Sequence, residues 1–551
     1  MAVLSGIGVC PGVAVGPIVH MPDPVPEPPE GPEPADRTAD AARIGAAMDS
    51  VAASLRARAE TAVGETKAVL EATVLMAADP GLAAMAEGFV RDRGLPAPRG
   101  LYEAANTFRD MLAAAGGYIG ARAADVEDVR DRVVATLLGL PIPGVPDVGH
   151  PFVLVARDLA PADTATVHPD TVLGFVTEEG GPTSHTAILA RALGIPAVVS
   201  CAGALGLAEG AVAVLDGAAG TVETDPDETA RAIAVEKMTA RRAASAVWSG
   251  KGGTADGVRI QLLANVGDPA SAQAAAAAGA EGVGLFRTEF LFLDAASEPS
   301  IDQQRAAYAE VFAAFSGRKV VLRTLDAGAD KPLAFLDQGV EPNPALGVRG
   351  LRIARERPEI LDRQLAAVAD AARDSGAEVW VMAPMVALPE EAAWFAERVR
   401  AHGLPTPGVM VEVPAAALLA REILDPVEFV SIGTNDLAQY TLAADRMAGP
   451  LAALNDPWQP ALLRLVELTG AAGAATGKPV GVCGEAAADP LLALVLVGLG
   501  VTSLSMAARA IPDVGEMLAR VSRKECVRLA ELAVSAPDAA TARSRVADAA
   551  P

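Results

Sequence analysis

The sequence predicts a multidomain α/β protein in which a small α/β domain carries an inserted helical domain and is followed by a C-terminal (β/α)8 TIM barrel. The chain has 551 residues, too many for a single hydrophobic core. The pattern of residue types along the chain changes sharply at two proline-rich stretches, near residues 21–34 and 141–146. From residue 255 onward, strand-like runs alternate with helical patterns, and this alternation is typical of a TIM barrel.

The first part of the chain reads as strands followed by helices. Residues 5–20 contain glycine-punctuated apolar runs, for which we predict a hairpin of short strands. Residues 21–34 form a connector, because proline neither continues a helix nor fits a central strand. Over residues 35–141 apolar side chains recur at helical spacing, with breaks at residues 79–80 and 94–96, which predicts several antiparallel helices. The clearest helical face consists of Ile44, Met48, Val51 and Leu55.

Residues 142–225 return to β-rich runs with loops and one short helix, as in a small α/β domain. We expect the strands of residues 1–22 to belong to the same domain, so that residues 35–141 are an insertion. Residues 226–250 are charged and alanine-rich, and they predict a connecting helix.

Residues 251–551 carry the predicted barrel. Its strand candidates are residues 258–264, 282–286, 319–325, 379–383, 409–413, 429–432, 480–483 and 504–506. Enzymes with this fold place their chemistry at the carboxyl ends of the strands. The polar residues at or just after these ends are Asn265, Arg287, Arg323, Glu412, Asn435, Asp436, Cys483 and Glu485.

The charged residues among them suit particular ligands. Arg287, Arg323 and Arg446 can each hold a carboxylate or phosphate through two hydrogen bonds, so they predict a small polyanion. Glu412 and Asp436 end adjacent strand candidates, and such carboxylates suit a hard divalent ion such as Mg²⁺.

A histidine segment lies outside the barrel. Residues 180–186 read Gly-Gly-Pro-Thr-Ser-His-Thr and precede an apolar helical pattern that ends at Gly194. The glycines permit a tight turn, and the hydroxyls of Thr183, Ser184 and Thr186 would lie among the free N–H groups of a helix start, which binds anions. The helix dipole disfavours imidazolium, so we expect His185 to be neutral and nucleophilic toward a phosphoryl group. On these residues alone, a role as a plain helix cap or core residue stays open.

Cys483 suits either a nucleophile or a proton donor. Because a histidine already serves as the phosphoryl acceptor, the donor role is the simpler one. Taken singly, a cysteine is more often a small core residue, and arginines and aspartates are often surface ion pairs. The convergence of many polar residues on one rim is what favours a site.

Composition excludes several classes of partner. The formal net charge of −24 argues against nucleic acid. The four cysteines form no CxxC pair, which fits a reducing cytoplasm, and we predict a cytoplasmic location. The N-terminus lacks a basic region ahead of its apolar residues, and the longest apolar run, residues 491–506, is broken by glycine and serine. We therefore expect neither a signal peptide nor membrane insertion.

Six stretches resemble the enzyme I family of the phosphoenolpyruvate-dependent sugar phosphotransferase system, and the resemblance extends along essentially the whole chain. They are GGPTSHT at 180–186, GAEGVGLFRTEFLF at 279–292, NPALGVR at 343–349, GVMVEVPAA at 408–416, SIGTNDLAQYTLAADR at 431–446 and GVCGE at 481–485. Matches of this length and in this order are highly specific.

The resemblance implies a reaction and its residues. His185 would take the phosphoryl group of phosphoenolpyruvate (PEP) and pass it to a histidine of the phosphocarrier protein HPr, the first step of sugar uptake. Cys483 would protonate the departing enolate to give pyruvate. Mg²⁺ would bind Glu412 and Asp436. The substrate would be held by Arg287, Arg323, Arg446, Asn435 and Asp436.

The resemblance also implies what each domain does. Residues 1–22 and 142–225 would form a swivelling phosphohistidine domain, and residues 35–141 would dock HPr. Residues 226–250 would be the hinge, and residues 251–551 would bind PEP and form a homodimer. Departures from the family pattern are modest and remove no expected ligand: Pro182, Ala329, Val348 and Ala438. Of these, Pro182 stands three residues from the acceptor, where the family commonly has arginine.

Two other functions share features of this sequence. A dikinase of the pyruvate, phosphate or pyruvate, water type shares the phosphohistidine domain and the PEP barrel, but it needs a large nucleotide-binding module, and no G-x-x-x-x-G-K-[ST] loop occurs. The other rival is a regulator that binds PEP without turnover. The presence of every expected catalytic residue argues against it.

Overall fold

The structure is a computed structural model. It describes the chain except residues 1, 11, 23–24, 62–72, 116–122, 147, 160–166, 168–169, 182–184, 245–249, 294, 296, 330–332, 337–338, 340, 446–448 and 551. Two compact units emerge, and each is described by itself. The first comprises residues Met1–Gly180 and His185–Val235, and the second comprises residues Gly181–Ser184 and Glu236–Pro551.

The first unit contains one eight-stranded sheet, in the order β1-β8-β7-β3-β4-β5-β6-β2. Its strands are β1 Ala2–Ser5, β2 Ile7–Cys10, β3 Val13–His20, β4 Phe152–Ala156, β5 Val172–Thr177, β6 Ala197–Val199, β7 Val212–Asp216 and β8 Thr221–Thr224. The ladders β3–β4, β4–β5 and β5–β6 are parallel, whereas the others are antiparallel. Strands from both ends of this unit's sequence thus share one sheet.

The predicted hairpin over residues 5–20 is wrong. The strands β1, β2 and β3 do not pair with one another: β1 pairs with β8, β2 pairs with β6, and β3 lies between β7 and β4. Turn residues in a sequence show where a strand ends. They do not show which strand it joins, because that choice depends on partners about 200 residues away.

A helical segment lies between β3 and β4. Its helices are α1 Arg37–Thr61, α2 Pro80–Arg93, α3 Ala97–Ala115 and α4 Ala123–Leu138, with a further helical turn at residues 73–77. The predicted face of α1 is buried in their common core. Both predicted breaks are confirmed, since Asp79 caps α2 and Gly94 ends it with φ 69°.

Two further helices follow in this half of the chain. Helix α5, His185–Leu193, ends at Gly194, where φ is 65°. Helix α6, Glu228–Ala244, is the predicted connecting helix, and the division between the two units falls within it, after Val235.

The second unit contains a closed barrel of eight parallel strands, as predicted. They are β9 Gln261–Val266, β10 Gly282–Arg287, β11 Lys319–Arg323, β12 Glu378–Ala383, β13 Pro407–Val411, β14 Phe429–Ile432, β15 Val480–Val482 and β16 Ser503–Met506. Each overlaps its predicted range, although β13 begins two residues earlier than predicted and β9 begins three residues later. Residues ahead of it form an isolated antiparallel bridge between Gly253 and Arg259 instead.

Helices surround the barrel and pack against its outer face through one large apolar cluster. They are α7 Pro269–Ala277, α8 Phe290–Leu293, α9 Ile301–Ala314, α10 Leu351–Glu356, α11 Pro358–Ser375, α12 Pro389–Ala401, α13 Pro414–Leu418, α14 Ala420–Leu424, α15 Thr434–Leu442, α16 Pro460–Thr476, α17 Pro490–Gly498, α18 Ile511–Ala519, α19 Arg523–Val534 and α20 Ala539–Ala549. Within the described ranges, no helix is both long and apolar enough to cross a membrane.

Candidate active site at the carboxyl end of the barrel

Two arginines lie side by side at the carboxyl ends of adjacent strands. Arg287 is the last residue of β10, Arg323 is the last residue of β11, and the two are register partners. Arg287 is exposed, whereas Arg323 is buried. Two neighbouring guanidinium groups favour a ligand that carries more than one negative charge.

Carboxylates hold Arg323 in place. Its Nη2 donates to Glu289 Oε1 at 2.5 Å, and its Nη1 lies 3.2 Å from Asp326 Oδ2. Burial acts to lower the pKa of this guanidinium, but Glu289 and Asp326 outweigh burial and raise the pKa above its usual value. Among the residues described, nothing accepts a hydrogen bond from its Nε. Arg323 is therefore a permanently charged, buried side chain whose Nε–H is still available as a donor.

Glu412 directly follows β13 and is fully buried. Its Oε1 accepts a hydrogen bond from the N–H of Met385 at 2.6 Å, whereas its Oε2 has no hydrogen-bond partner in the described part of the chain. Burial, and then the negative charges of Asp436 and Asp326, raise the pKa of Glu412 far above its usual range, although Arg323 partly opposes them. A buried carboxylate of this kind is stabilised by a cation.

Asn435 and Asp436 lie in the first turn of α15, after β14. The side-chain oxygen of Asn435 accepts a hydrogen bond from the N–H of Glu485 at 3.2 Å, which joins the loops that follow β14 and β15. Asp436 is buried, and its Oδ1 lies 3.6 Å from Arg349 Nη1.

This donor set fits a hard divalent cation. Glu412 and Asp436 supply carboxylate oxygens, which are the ligands that Mg²⁺ prefers. An ideal Cβ on Gly433 would lie 3.1 Å from Glu412 Oε2, so the glycine leaves space beside that oxygen. The residues that the structure describes contain no cluster of three or more His, Cys, Asp or Glu that could hold a metal. Two protein carboxylates alone would leave the other positions to water and substrate, as Mg²⁺ sites commonly do.

Cys483 directly follows β15 and is 2% exposed. Its Sγ lies 3.6 Å from the carbonyl oxygen of Ile432, and its own carbonyl oxygen accepts from Asn265 Nδ2 at 3.0 Å. Burial raises the pKa of the thiol to about 11, while a hydrogen bond with Ser431 and the charge of Arg323 act to lower it. The thiol is protonated at neutral pH, which suits a proton donor and not a thiolate nucleophile.

The phosphoryl acceptor predicted from the sequence belongs to the first unit. The backbone of His185 begins α5, but its side chain and residues 182–184 lie outside the described part of the structure, as does Arg446. The role predicted for the Thr186 hydroxyl is wrong. That hydroxyl is buried and donates to Asp158 Oδ1 at 2.9 Å instead of serving the free N–H groups of the helix, because the loop after β4 packs against it.

Family models and curated relatives both match this chain. The family models that match are the PEP-utilising enzyme N-terminal domain over residues 5–122, the mobile domain over residues 148–220 and the PEP-binding domain over residues 243–523. The phosphoenolpyruvate-protein phosphotransferase of Streptomyces coelicolor is 54% identical and aligns over 98% of both chains. The protein of that name from Haloferax volcanii is 40% identical and aligns over 97% of both chains. The one from Bacillus sp. strain S is 38% identical and aligns over 90% of this chain and 89% of the relative.

The chain belongs to the phosphoenolpyruvate-protein phosphotransferases. The family resemblance found in the motifs is thereby confirmed, and the chain is a PEP-utilising enzyme.

Sequence reasoning missed part of the charge network of this phosphotransferase. Arg349 is 1% exposed, and its Nη2 donates to both oxygens of Asp326 at 3.2 and 3.1 Å. Its Nη1 donates to the hydroxyl of Tyr440 at 3.2 Å. One signal was present, since Arg349 ends a stretch that resembles the family. It was passed over because it follows a loop and not a strand, and nothing local in the sequence pairs it with Asp326.

Proposed function

We propose that this enzyme transfers the phosphoryl group of PEP to its own His185 and then to a histidine of HPr, releasing pyruvate. The observation that carries the proposal is the meeting of two arginines, two carboxylates and a protonated thiol at one end of the barrel. Relatives along nearly the whole chain bear the name of this activity. The reaction would be the first step of phosphotransferase-dependent sugar uptake in the cytoplasm.

Substrate binding follows from the charges at the strand ends. PEP carries a phosphate and a carboxylate, and Arg287 and Arg323 supply adjacent groups that bind such anions in pairs. Asn435 and Asp436 border the same space, and Arg446 completes the set in this proposal. Phosphoryl transfer depends mainly on in-line positioning and charge neutralisation, both of which fixed arginines provide.

The cofactor in this proposal is Mg²⁺, held by Glu412 and Asp436. When bound, the ion supplies positive charge that neutralises substrate oxygens. The open Oε2 of Glu412 and its raised pKa support this assignment.

Bonds and protons balance in the proposed reaction. The lone pair of a neutral His185 nitrogen forms the N–P bond, and the bond between phosphorus and the enol oxygen of PEP breaks. The enolate then takes the thiol proton of Cys483 at its methylene carbon, which gives pyruvate and a buried thiolate. In the second half-reaction, a histidine of HPr attacks the phosphorus and restores His185.

The division of the chain into two compact units supports separate roles for its domains. Residues 1–22 with 142–225 would form the swivelling phosphohistidine domain, and residues 35–141 would dock HPr. Residues 226–250 would act as the hinge, and residues 251–551 would bind PEP and form the homodimer. The boundary between the compact units within α6 supports the hinge.

Labelling with PEP tests the proposal. With ³²P-labelled PEP and Mg²⁺ but no nucleotide, we expect the label on His185 by mass spectrometry, followed by transfer to added HPr. His185→Gln should abolish labelling, and His150→Gln, at an exposed histidine, should leave it unchanged. Pyruvate formation at the normal rate by His185→Gln, or rapid labelling by ATP, would contradict the proposal.

A further inference from the structure

A small polar cavity lies inside the barrel, on the amino-terminal side of Cys483. It has room for about one water molecule. Lys319, Ser431, Ser503 and Ser505 contribute to its wall. The interior of a TIM barrel is normally filled with branched apolar side chains. Polar groups on a water-sized space in this position therefore need an explanation.

Two glycines keep the cavity open. An ideal Cβ on Gly481 would lie 2.9 Å from Ser503 Oγ and 3.4 Å from Ser431 Oγ. An ideal Cβ on Gly284 would lie 2.5 Å from Ser505 Oγ. Any larger residue at either position would occupy the space that the serine hydroxyls border. A water molecule placed there would have several polar partners, as a buried water requires.

The carboxyl-terminal end of this cavity is joined to Cys483. The Ser431 hydroxyl acts to lower the pKa of the Cys483 thiol, and Ser431 precedes Ile432, whose carbonyl oxygen lies 3.6 Å from Cys483 Sγ. The Ser505 hydroxyl donates to Asn265 Oδ1 at 2.6 Å, and Asn265 Nδ2 donates to the carbonyl oxygen of Cys483 at 3.0 Å. Gly481 precedes Cys483 by two residues, so the two positions face the same side of the extended chain.

The other end of the cavity leads to a buried lysine. Ser503 is the register partner of Gln261, whose side-chain oxygen accepts from Lys319 Nζ at 2.6 Å. Lys319 begins β11 and is only 7% exposed. Its ammonium group also lies 4.4 Å from the centre of the Trp380 ring.

Charged groups around Lys319 lie toward solvent. The pKa of Lys319 falls to about 8, mainly because the group is buried; Glu378 opposes this shift and Arg259 adds to it. Glu378 is exposed, and its Oε1 accepts from Trp380 Nε1 at 2.8 Å. Lys319 can therefore release and regain a proton near neutral pH, at the end of the barrel opposite the candidate active site.

We propose that Ser431, a water in this cavity, Ser503 and Lys319 form a path that returns a proton to Cys483 after each turnover. The inference rests on the proposed function, in which Cys483 becomes a thiolate by protonating the enolate. Ser431 gives its proton to the sulphur and takes one from the water. The water, which also lies against Ser503, takes one from Lys319, and Lys319 takes one from solvent. The net change is one proton from solvent to the thiol.

Burial of the sulphur is the reason for a path through the barrel. Cys483 packs in an interior cluster with Leu285, Val321, Met382, Met410 and Phe429. Ser431 borders both the cavity and the strand residue Ile432, whose carbonyl oxygen is next to the thiol. Ser431 acts through Cys483 without touching substrate in this scheme, so it is a positioning residue and not a catalytic one.

Isotope exchange at the thiol tests the path directly. The full-length enzyme, equilibrated in H2O, is diluted into D2O for varied times and then given PEP and Mg²⁺ for a single turnover. The mass of the pyruvate methyl group reports whether the thiol carried hydrogen or deuterium. We expect Ser431→Ala to slow the replacement of hydrogen by deuterium at least about tenfold, while His185 phosphorylation in the first turnover stays unchanged.

Three further variants separate the path from a packing effect. Ser431→Thr, which keeps a hydroxyl, should restore fast exchange, and Gly481→Ala, which fills the water space while keeping both serines, should slow it. Val321→Ala enlarges the same cavity without removing a hydroxyl and should exchange like the wild type. Should Ser431→Ala fail to fold, Gly481→Ala carries the same expectation.

Two outcomes would overturn the path. One is wild-type exchange in both Ser431→Ala and Gly481→Ala. The other is loss of the first phosphorylation in a folded Ser431→Ala, which would assign the hydroxyl to the phosphoryl-transfer step. Failure of the wild type to release any pyruvate would instead contradict the proposed function. The two failures are therefore distinguishable.

Discussion

At the scale of single residues, burial determines the protonation of the groups that matter most. Cys483 and Glu412 both have raised pKa values, and burial is the largest cause for each. For the thiol the consequence is a proton that stays bound at neutral pH. For the carboxylate the consequence is a charge that is stable only beside a cation. The same physical effect thus favours a proton donor in one case and a metal ligand in the other.

Removal of the thiol should affect one half-reaction. We predict that Cys483→Ala lowers the rate of pyruvate release from PEP by about 10²–10⁴-fold, the usual contribution of a general acid. Enzyme already phosphorylated on His185 should still transfer the group to HPr at the wild-type rate, because that step needs no enolate proton. Rapid-quench assays of each half-reaction measure the two rates. An equal loss in both would argue against the donor role.

Removal of the Glu412 charge should raise stability while it abolishes turnover. The folded protein raises the pKa of Glu412, so the wild type loses stability as pH rises above the ordinary carboxyl pKa of 4.5. Glu412→Gln lacks this loss, and without Mg²⁺ we expect it to be more stable near neutral pH by about 1 kcal/mol. Thermal unfolding with and without Mg²⁺ measures the effect. Stabilisation of the variant by Mg²⁺ as large as that of the wild type would contradict the assignment.

At the scale of elements, one buried glutamine joins the loops that carry the arginines. Gln364 of α11 accepts from the N–H of Leu325 at 3.0 Å, and it donates to the hydroxyls of Thr288 and Tyr308, each at 3.1 Å. Thr288 in turn donates to the carbonyl oxygen of Arg323 at 2.8 Å. The loops after β10 and β11 are therefore held together by a helix on the outside of the barrel.

Loss of this junction should cost both stability and substrate affinity. Gln364→Leu leaves the buried N–H of Leu325 without its acceptor and removes the amide donor from the hydroxyls of Thr288 and Tyr308, and we expect a loss of about 2–3 kcal/mol in the free energy of unfolding. The KM for PEP should rise about tenfold, because a displacement of less than one ångström at a positioning group already weakens substrate binding. Urea unfolding and steady-state kinetics measure the two changes.

A matched control lies on the same helix. Arg373→Ala removes an exposed ion pair with Asp370, and it should change the free energy of unfolding by less than about 0.5 kcal/mol. A Gln364→Leu variant as stable as this control would show that the loops are held by other contacts.

At the scale of the whole molecule, charge bears on the encounter with a partner. The formal net charge of −24 creates a field that attracts a basic surface and repels an acidic one. In the proposed function the partner is a separate protein, so the rate of encounter limits how fast His185 passes on its phosphoryl group.

Salt should therefore slow the association with HPr. Between roughly 0.05 and 0.5 M ionic strength the Debye length shortens severalfold, and we expect the association rate constant to fall about tenfold. Stopped-flow measurements with phosphorylated enzyme follow this rate, and the dissociation rate should change much less. An association rate that is independent of salt would show that electrostatic attraction does not speed the encounter with HPr.

The alternation of short apolar runs with helical patterns made most of the barrel predictable. All eight barrel strands overlap their predicted ranges, because apolar runs, helical spacing and turn residues are local properties. Candidate residues such as Arg323, Glu412 and Cys483 followed from one rule, that strand ends in this fold carry the chemistry. The assignment of roles to them remains a prediction, as do the domain roles.

By itself, then, the sequence determined the order of elements, the family and the residues at the strand ends. Tertiary structure alone decided which strands β1, β2 and β3 would join, that Arg349 lies against Asp326, and that Thr186 bonds with Asp158. It also decided the raised pKa values of Glu412 and Cys483. The reason is physical: periodicity and turn preferences depend on neighbours along the chain, whereas pairing, burial and charge interactions depend on neighbours in space.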